Sequence, residues 1–164
     1  MNRTPKFSLA RRDEAMTALV ALTDKKTLAV WAADCAERVM PYFEETFPGD
    51  PRPRLALEAL RRWIDTGVFR MADIRKAALD AHAAAREVGE DRPVRSAARA
   101  AGQAVSTAHV ATHAIGAALY AQQAVFRAAV AGGCEAADVD AAVAMEREWQ
   151  YRHLVALRKR AGDV

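Results

Sequence analysis

The side chains best suited to chemistry are four histidines, His82, His109, His113 and His153. His109 and His113 are four residues apart, so on a helix both imidazoles share one face. Gly102, Ser106, Gly116 and Tyr120 fall on that face, with Gln103 beside it, whereas His82 sits in the inward stripe of another helix. A His-x-x-x-His pair is half of a zinc site. Three imidazoles from His82, His109 and His113 would hold zinc or iron with one position open. A small helical metal-binding sensor or enzyme is therefore one reading. The surrounding residues speak against it. Val110, Ala111 and Thr112 separate the pair, so the Glu of a His-Glu-x-x-His motif is missing, and no Glu-x-x-His occurs anywhere. The plainer account is that each imidazole hydrogen-bonds to a neighbouring helix or to water. No resident metal, cofactor or catalytic residue is expected.

Arginine is the second chemical group. Arg52, Arg54, Arg61 and Arg62 surround a proline-rich loop, and Arg86, Arg92, Arg95 and Arg99 flank a later turn. The guanidinium fork suits carboxylates and interfaces, although arginine is also a good exposed helix former. Gly-x-Ser-x-Gly, phosphate-loop and Gly-x-Gly-x-x-Gly motifs are all missing. The net charge is only +3, with basic residues at both ends and no nucleic-acid-binding motif, so no nucleic-acid partner is expected. Two stretches are locally acidic: Asp34, Glu37, Glu44, Glu45 and Asp50, then Glu135, Asp138, Asp140, Glu146 and Glu148. Either can attract a basic partner. Cys35 and Cys134 are isolated, with no disulfide framework. Without a signal-like apolar core or a membrane-length apolar run, the expected compartment is a reducing cytoplasm.

The elements that must position these groups are helical. Roughly a quarter of the 164 residues are alanine, which loses no side-chain entropy in a helix. The fold class expected is all-α, a compact multi-helix array or bundle of six to seven helices. Ser8 is expected to cap a first helix reaching Leu22, and Thr23 or Asp24 to cap a second from Lys25 to Thr46, kinked near Glu37 by Pro41. After the loop from Pro48 to Pro53, a third helix runs to Thr66 and stops at Gly67, and a fourth runs from Met71 to Val88. Val94 to Val130 contains no strong breaker. As one helix it would span ~55 Å, against a domain radius of gyration of ~15 Å. A break is therefore expected between His109 and Gly116. A last helix is expected over Ala137–Arg160 after Gly132-Gly133, packed on the domain or projecting from it.

Three stretches carry a resemblance: LAVWAADCAERVMPYFEETFPGDPRPRLALEALRRW (Leu28 to Trp63), AALDAHAAAREV (Ala77 to Val88) and AARAAGQAVSTAHVATHAIGAALYAQQA (Ala97 to Ala124). The ordered set is Trp-Ala-x-x-Cys-Ala, Arg-Pro-Arg, Ala-His-Ala-Ala-Ala-Arg, then Gly-Gln-Ala-Val-x-Thr-Ala-His. It resembles the Imm-5-like immunity proteins of bacterial polymorphic toxin systems. The resemblance covers residues 24–130 as the helical domain, between a lead-in with the first helix (1–23) and a C-terminal helix (131–164). Matching positions include Trp31, Asp34, Cys35, Arg52, Pro53, Arg54, His82, Arg86, Gly102, Gln103, Thr107, His109, His113 and Tyr120. The resemblance implies a non-enzymatic cytoplasmic protein that binds and neutralises a cognate toxin domain. Inhibitors of basic nuclease toxins tend to be acidic. At +3 this chain implies another kind of toxin, or engagement through the two acidic stretches alone. An Ala-rich surface can also pack against its own copy. The partner-binding residues expected are His82, Arg86, Gln103, His109 and His113, converging on one surface, with Arg52 and Arg54.

Overall fold

The computed structural model describes residues 5–162, and among them every regular element is an α-helix. The helices are α1 (Glu14–Ala21), α2 (Lys25–Glu37), α3 (Met40–Thr46), α4 (Arg52–Thr66), α5 (Met71–Arg86), α6 (Pro93–Ser106), α7 (His113–Ala131) and α8 (Ala136–Ala161). The all-α expectation holds, but the count is eight rather than six or seven. The extra helix comes from Pro41. A kink was expected within one long helix. Instead, α2 ends at Glu37 and Pro41 occupies the first turn of α3. Proline has no N–H to donate and its ring crowds the carbonyl four residues back, while a first turn needs no such donor.

The start of α1 also differs from expectation. Asp13, not Ser8, caps it: Asp13 Oδ1 accepts the Met16 N–H at 2.8 Å. Ser8 accepts the Ala10 N–H in a local turn. Asp24 caps α2 through the Thr27 N–H at 2.9 Å. Gly67 stops α4 at φ 68°, a left-handed conformation that glycine adopts without a Cβ clash. The expected break in the Val94–Val130 segment falls at residues 107–112, where Thr107 and Ala108 are buried in the turn.

The core is built around α6, which packs against α2, α3, α4, α5 and α7. Ala97, Ala98, Ala100, Ala101 and Ala104 are fully buried, and side chains this small let neighbouring helices approach closely. Trp31 and Phe43 supply the bulk that alanine lacks. The last helix does not project: α8 packs on α2 and α7. Trp31 Nε1 donates to the Gln150 carbonyl at 2.8 Å. The Gln150 side chain accepts from Gln122 at 2.8 Å and donates to the Ala118 carbonyl at 3.1 Å. These buried polar groups are all satisfied, which fixes the register of α8. Near its end Arg158 donates to the Leu22 carbonyl and to Thr23. Cys35 is fully buried among these helices. Burial pushes its thiol well above the usual value, so the thiol is not a nucleophile.

Candidate partner-binding face

Helix α6 lies between α5 and α7 and runs antiparallel to both. Contacts from His82 to Arg99 and Gly102 set the α5–α6 register, and contacts from Gln103 to His113 and Gly116 set that of α6–α7. Each of these helices contributes a polar row. On α5 it is His82 and Arg86, on α6 Arg95, Arg99 and Gln103, and on α7 His113, Tyr120, Gln123 and Arg127.

His82 owes its position to Gly102. A Cβ there would lie 2.7 Å from the His82 ring, so only glycine admits the imidazole against α6. Arg99 Nη1 lies 3.0 Å from His82 Nδ1. A guanidinium can only donate, so this imidazole is neutral with its proton on Nε2. Burial, with the charges of Arg99, Arg86 and His113, lowers the His82 pKa to about 4. Gln103 lies on the bare backbone of Gly116, where a Cβ would come within 2.6 Å of Oε1. That oxygen is 2.8 Å from His113 Nδ1, which donates to it. Burial and the neighbouring His109 lower the His113 pKa. His109 is exposed and stacks on Phe69, ring centroids 6.3 Å apart. That contact brings the α4–α5 loop, with exposed Val68 and Phe69, beside exposed Val110.

Of the residues singled out from the sequence, His82, Arg86, Gln103, His109 and His113 share this face. The three imidazoles do not form a metal site. Among the described residues no three His, Cys, Asp or Glu side chains are arranged to hold an ion. The Arg99 cation also occupies the Nδ1 side of His82. Arg52 and Arg54 are placed differently, in ion pairs. Arg52 holds Asp50 (2.6 Å) and Glu87 (2.7 Å), tying the proline-rich loop to the end of α5. Arg54 holds Glu37 (2.6 Å) and Glu44 (2.7 Å), tying α4 to α2 and α3. A cavity of about 700 Å³ lies between residues 6–17, α2, α7 and α8, and none of the predicted residues lines it.

Of the acidic stretches, Asp34, Glu37, Glu44 and Asp50 of the first and Glu146 of the second are committed inside the molecule. Asp34 pairs with Arg61 and His153, both at 2.6 Å. Glu146, only 5% exposed, is held by Arg38 at 2.9 Å. The Arg38 guanidinium lies 3.8 Å from the Trp149 ring centre, and Trp149 stacks on His153. Sequence reasoning missed this group because Asp34 and His153 are 119 residues apart. It also missed Arg127, although the spacing 113, 116, 120, 123, 127 on α7 was available as a signal.

The fold and this face define a small all-α module with a polar surface built on three packed helices. The sequence matches the family described as Imm-5 like putative immunity protein over residues 18–157, and the chain belongs to that family. The match extends beyond residues 24–130 and takes in most of α8. No curated protein and no solved structure matches the chain. No helix among the described residues is long and apolar enough to cross a membrane.

Proposed function

We propose that this protein binds and neutralises a cognate toxin domain by protein–protein contact, covering it with the α5–α6–α7 face. Family membership supports the general role. The observation that selects the face is its unused bonding capacity: Arg95, Arg99 and Arg127, gathered on the adjacent helices α6 and α7, meet only neutral acceptors. Such an inhibitor needs no chemistry of its own, only a rigid surface with a few anchors, typically Arg, Tyr or Trp. His82, Arg86, Gln103, His109 and His113 lie within it. Arg52 and Arg54 contribute from outside, by holding α4 and the loop in place. At ~1.5 Å per residue, α6 is ~21 Å long, comparable with the width of one side of a standard interface of ~800 Å².

The test is co-expression with a candidate cognate toxin domain. Wild-type protein is expected to restore growth and to co-purify at a fixed stoichiometry. Undiminished killing, with no complex, would overturn the proposal. Light scattering of the isolated protein separates this mode from self-association through the alanine-rich surface.

A further inference from the structure

At one end of the same face, α5, α6 and α7 gather positive charge without a matching carboxylate. Arg95 Nη1 donates to the Val88 carbonyl (3.1 Å), Arg99 to His82 (3.0 Å), and Arg127 Nη1 to Ser96 Oγ (2.9 Å), which itself donates to Gln123. None of these acceptors is charged. Among the described residues, neither these three nor Arg86 forms an ion pair. The four are close enough to matter to one another: Arg99 feels Arg95 and Arg86, and Arg127 feels Arg95. Glu90 and Asp91, exposed on the α5–α6 turn, act on Arg127 from a distance, and Glu87 is taken by Arg52. Burial lowers the pKa of both Arg99 and Arg127.

Half-buried cations lose hydration, and each guanidinium has five donors, of which Arg95, Arg99 and Arg127 each use one here. The donors left over suit an oxyanion, and the planar fork suits a carboxylate held through two bonds. We infer that the Arg86–Arg95–Arg99–Arg127 end receives carboxylates from an acidic segment of the partner protein. This rests on the toxin-binding reading and adds the chemistry of the partner. A protein, not a nucleic acid, fits the rest of the face. At the opposite end stand exposed Val68, Phe69, Met71 and Val110. A phosphate backbone would need positive charge along the whole path. An acidic segment beside an apolar one matches both ends.

The experiment is a titration of arginine Nε–Hε resonances in the full chain at about 20 mM salt, where charge screening is weak. The probes are N-acetylated hexaglutamate amide, hexathymidylate and sodium sulfate. Hexaglutamate is expected to shift Arg95, Arg99 and Arg127 while leaving Arg52 and Arg54 in place. The double variant Arg99→Gln/Arg127→Gln is expected to weaken hexaglutamate about tenfold or more, with unchanged helix content. In co-expression, the same variant is expected to lose protection, whereas Arg152→Gln keeps it. Equal shifts at paired and unpaired arginines would overturn the inference, as would tighter binding of hexathymidylate or sulfate. It would fall as well if the variant loses hexaglutamate yet protects cells fully. Failure of the wild-type chain to protect is a separate outcome that strikes the toxin-binding reading itself. The hexaglutamate titration then still decides whether an acidic protein segment is bound.

Discussion

The molecule contains two populations of arginine. At the end of α2 and on α4, Arg38, Arg52, Arg54 and Arg61 each hold one or two carboxylates. On α5, α6 and α7, Arg86, Arg95, Arg99 and Arg127 hold none, and those whose contacts are defined rest on neutral oxygens or an imidazole. The first group joins distant parts of the chain. Arg38 and Glu146 are 108 residues apart, and Arg61 reaches Asp34 on another helix. The second group joins nothing that the neighbouring alanine packing does not already join. The same side chain thus serves as a clamp where its charge is matched and as an open contact where it is not. The acidic stretches are part of this contrast, because Asp34, Glu37, Glu44, Asp50 and Glu146 are used in the clamps.

The largest effect expected is on the clamped side. Arg38→Met strands the Glu146 carboxylate, whose remaining hydrogen bond from Gln150 is 3.3 Å. Leaving a buried carboxylate without its cation costs up to several kcal/mol, so a loss of roughly 3 kcal/mol is expected in urea unfolding. A loss below about 0.5 kcal/mol, the scale of an ordinary surface change, would erase the distinction between the two populations.

Gly102→Ala comes next. Its methyl would press on the His82 ring, and overpacking of this kind costs about 1–3 kcal/mol. Thermal unfolding should show the loss, and it should shrink in the double variant with His82→Ala, which vacates the space. Equal losses in both backgrounds would show that His82 does not depend on the bare backbone of α6.

The response to pH is smaller and has a defined sign. The folded His82 pKa of about 4 lies below its unfolded value near 6.5, so the unfolded state binds the proton first. Stability is fully present above the unfolded pKa and declines as pH falls from about 6.5 toward 4. His113 acts in the same direction. The carboxylates of Asp50 and Glu87, held low by their bonds to Arg52, lose their contribution only at lower pH, as it falls through their folded pKa values. His82→Asn should flatten the decline between pH 6.5 and 4 and leave the more acidic limb unchanged. An unaltered profile would place the sensitivity elsewhere.

The smallest effect on stability belongs to the open side. Arg127→Gln should leave unfolding within about 0.5 kcal/mol of wild type, because it removes no ion pair, only a half-buried bond to Ser96 Oγ. A loss beyond 1 kcal/mol would make Arg127 a clamp in its own right.

Much of the fold was legible because prolines and glycines punctuate it. Pro53, Gly67, Pro93 and Gly132 lie at or next to helix ends, as local backbone chemistry dictates. The break between α6 and α7 was legible only by length, since nothing between Thr107 and Thr112 stops a helix. Pro41 was legible as a disturbance but not as a full break. That depends on whether Arg38 and Val39 can satisfy their N–H groups in a turn, as they do with Asp34 and Ala36. On the face, the Gln103 row was readable, and an antiparallel register would also have brought His82 to Gly102. The His109–His113 spacing misled, because His109 lies in the turn at 107–112 and His113 opens α7, so the two do not share a helix face. The carboxylate pairings were not readable, because partners far apart in sequence are chosen by packing. For that reason Arg52 and Arg54 looked the same as Arg95 and Arg99 before the structure was known.

The central claim is that the α5–α6–α7 face, through its unpaired arginines, is the surface that engages the toxin domain. Calorimetric titration of the neutralised toxin domain with wild-type protein, Arg99→Gln/Arg127→Gln and Arg152→Gln tests it most directly. A Kd raised at least about tenfold, or 1.4 kcal/mol, is expected for the double variant, with wild-type affinity for Arg152→Gln. Equal affinity for all three proteins would contradict it.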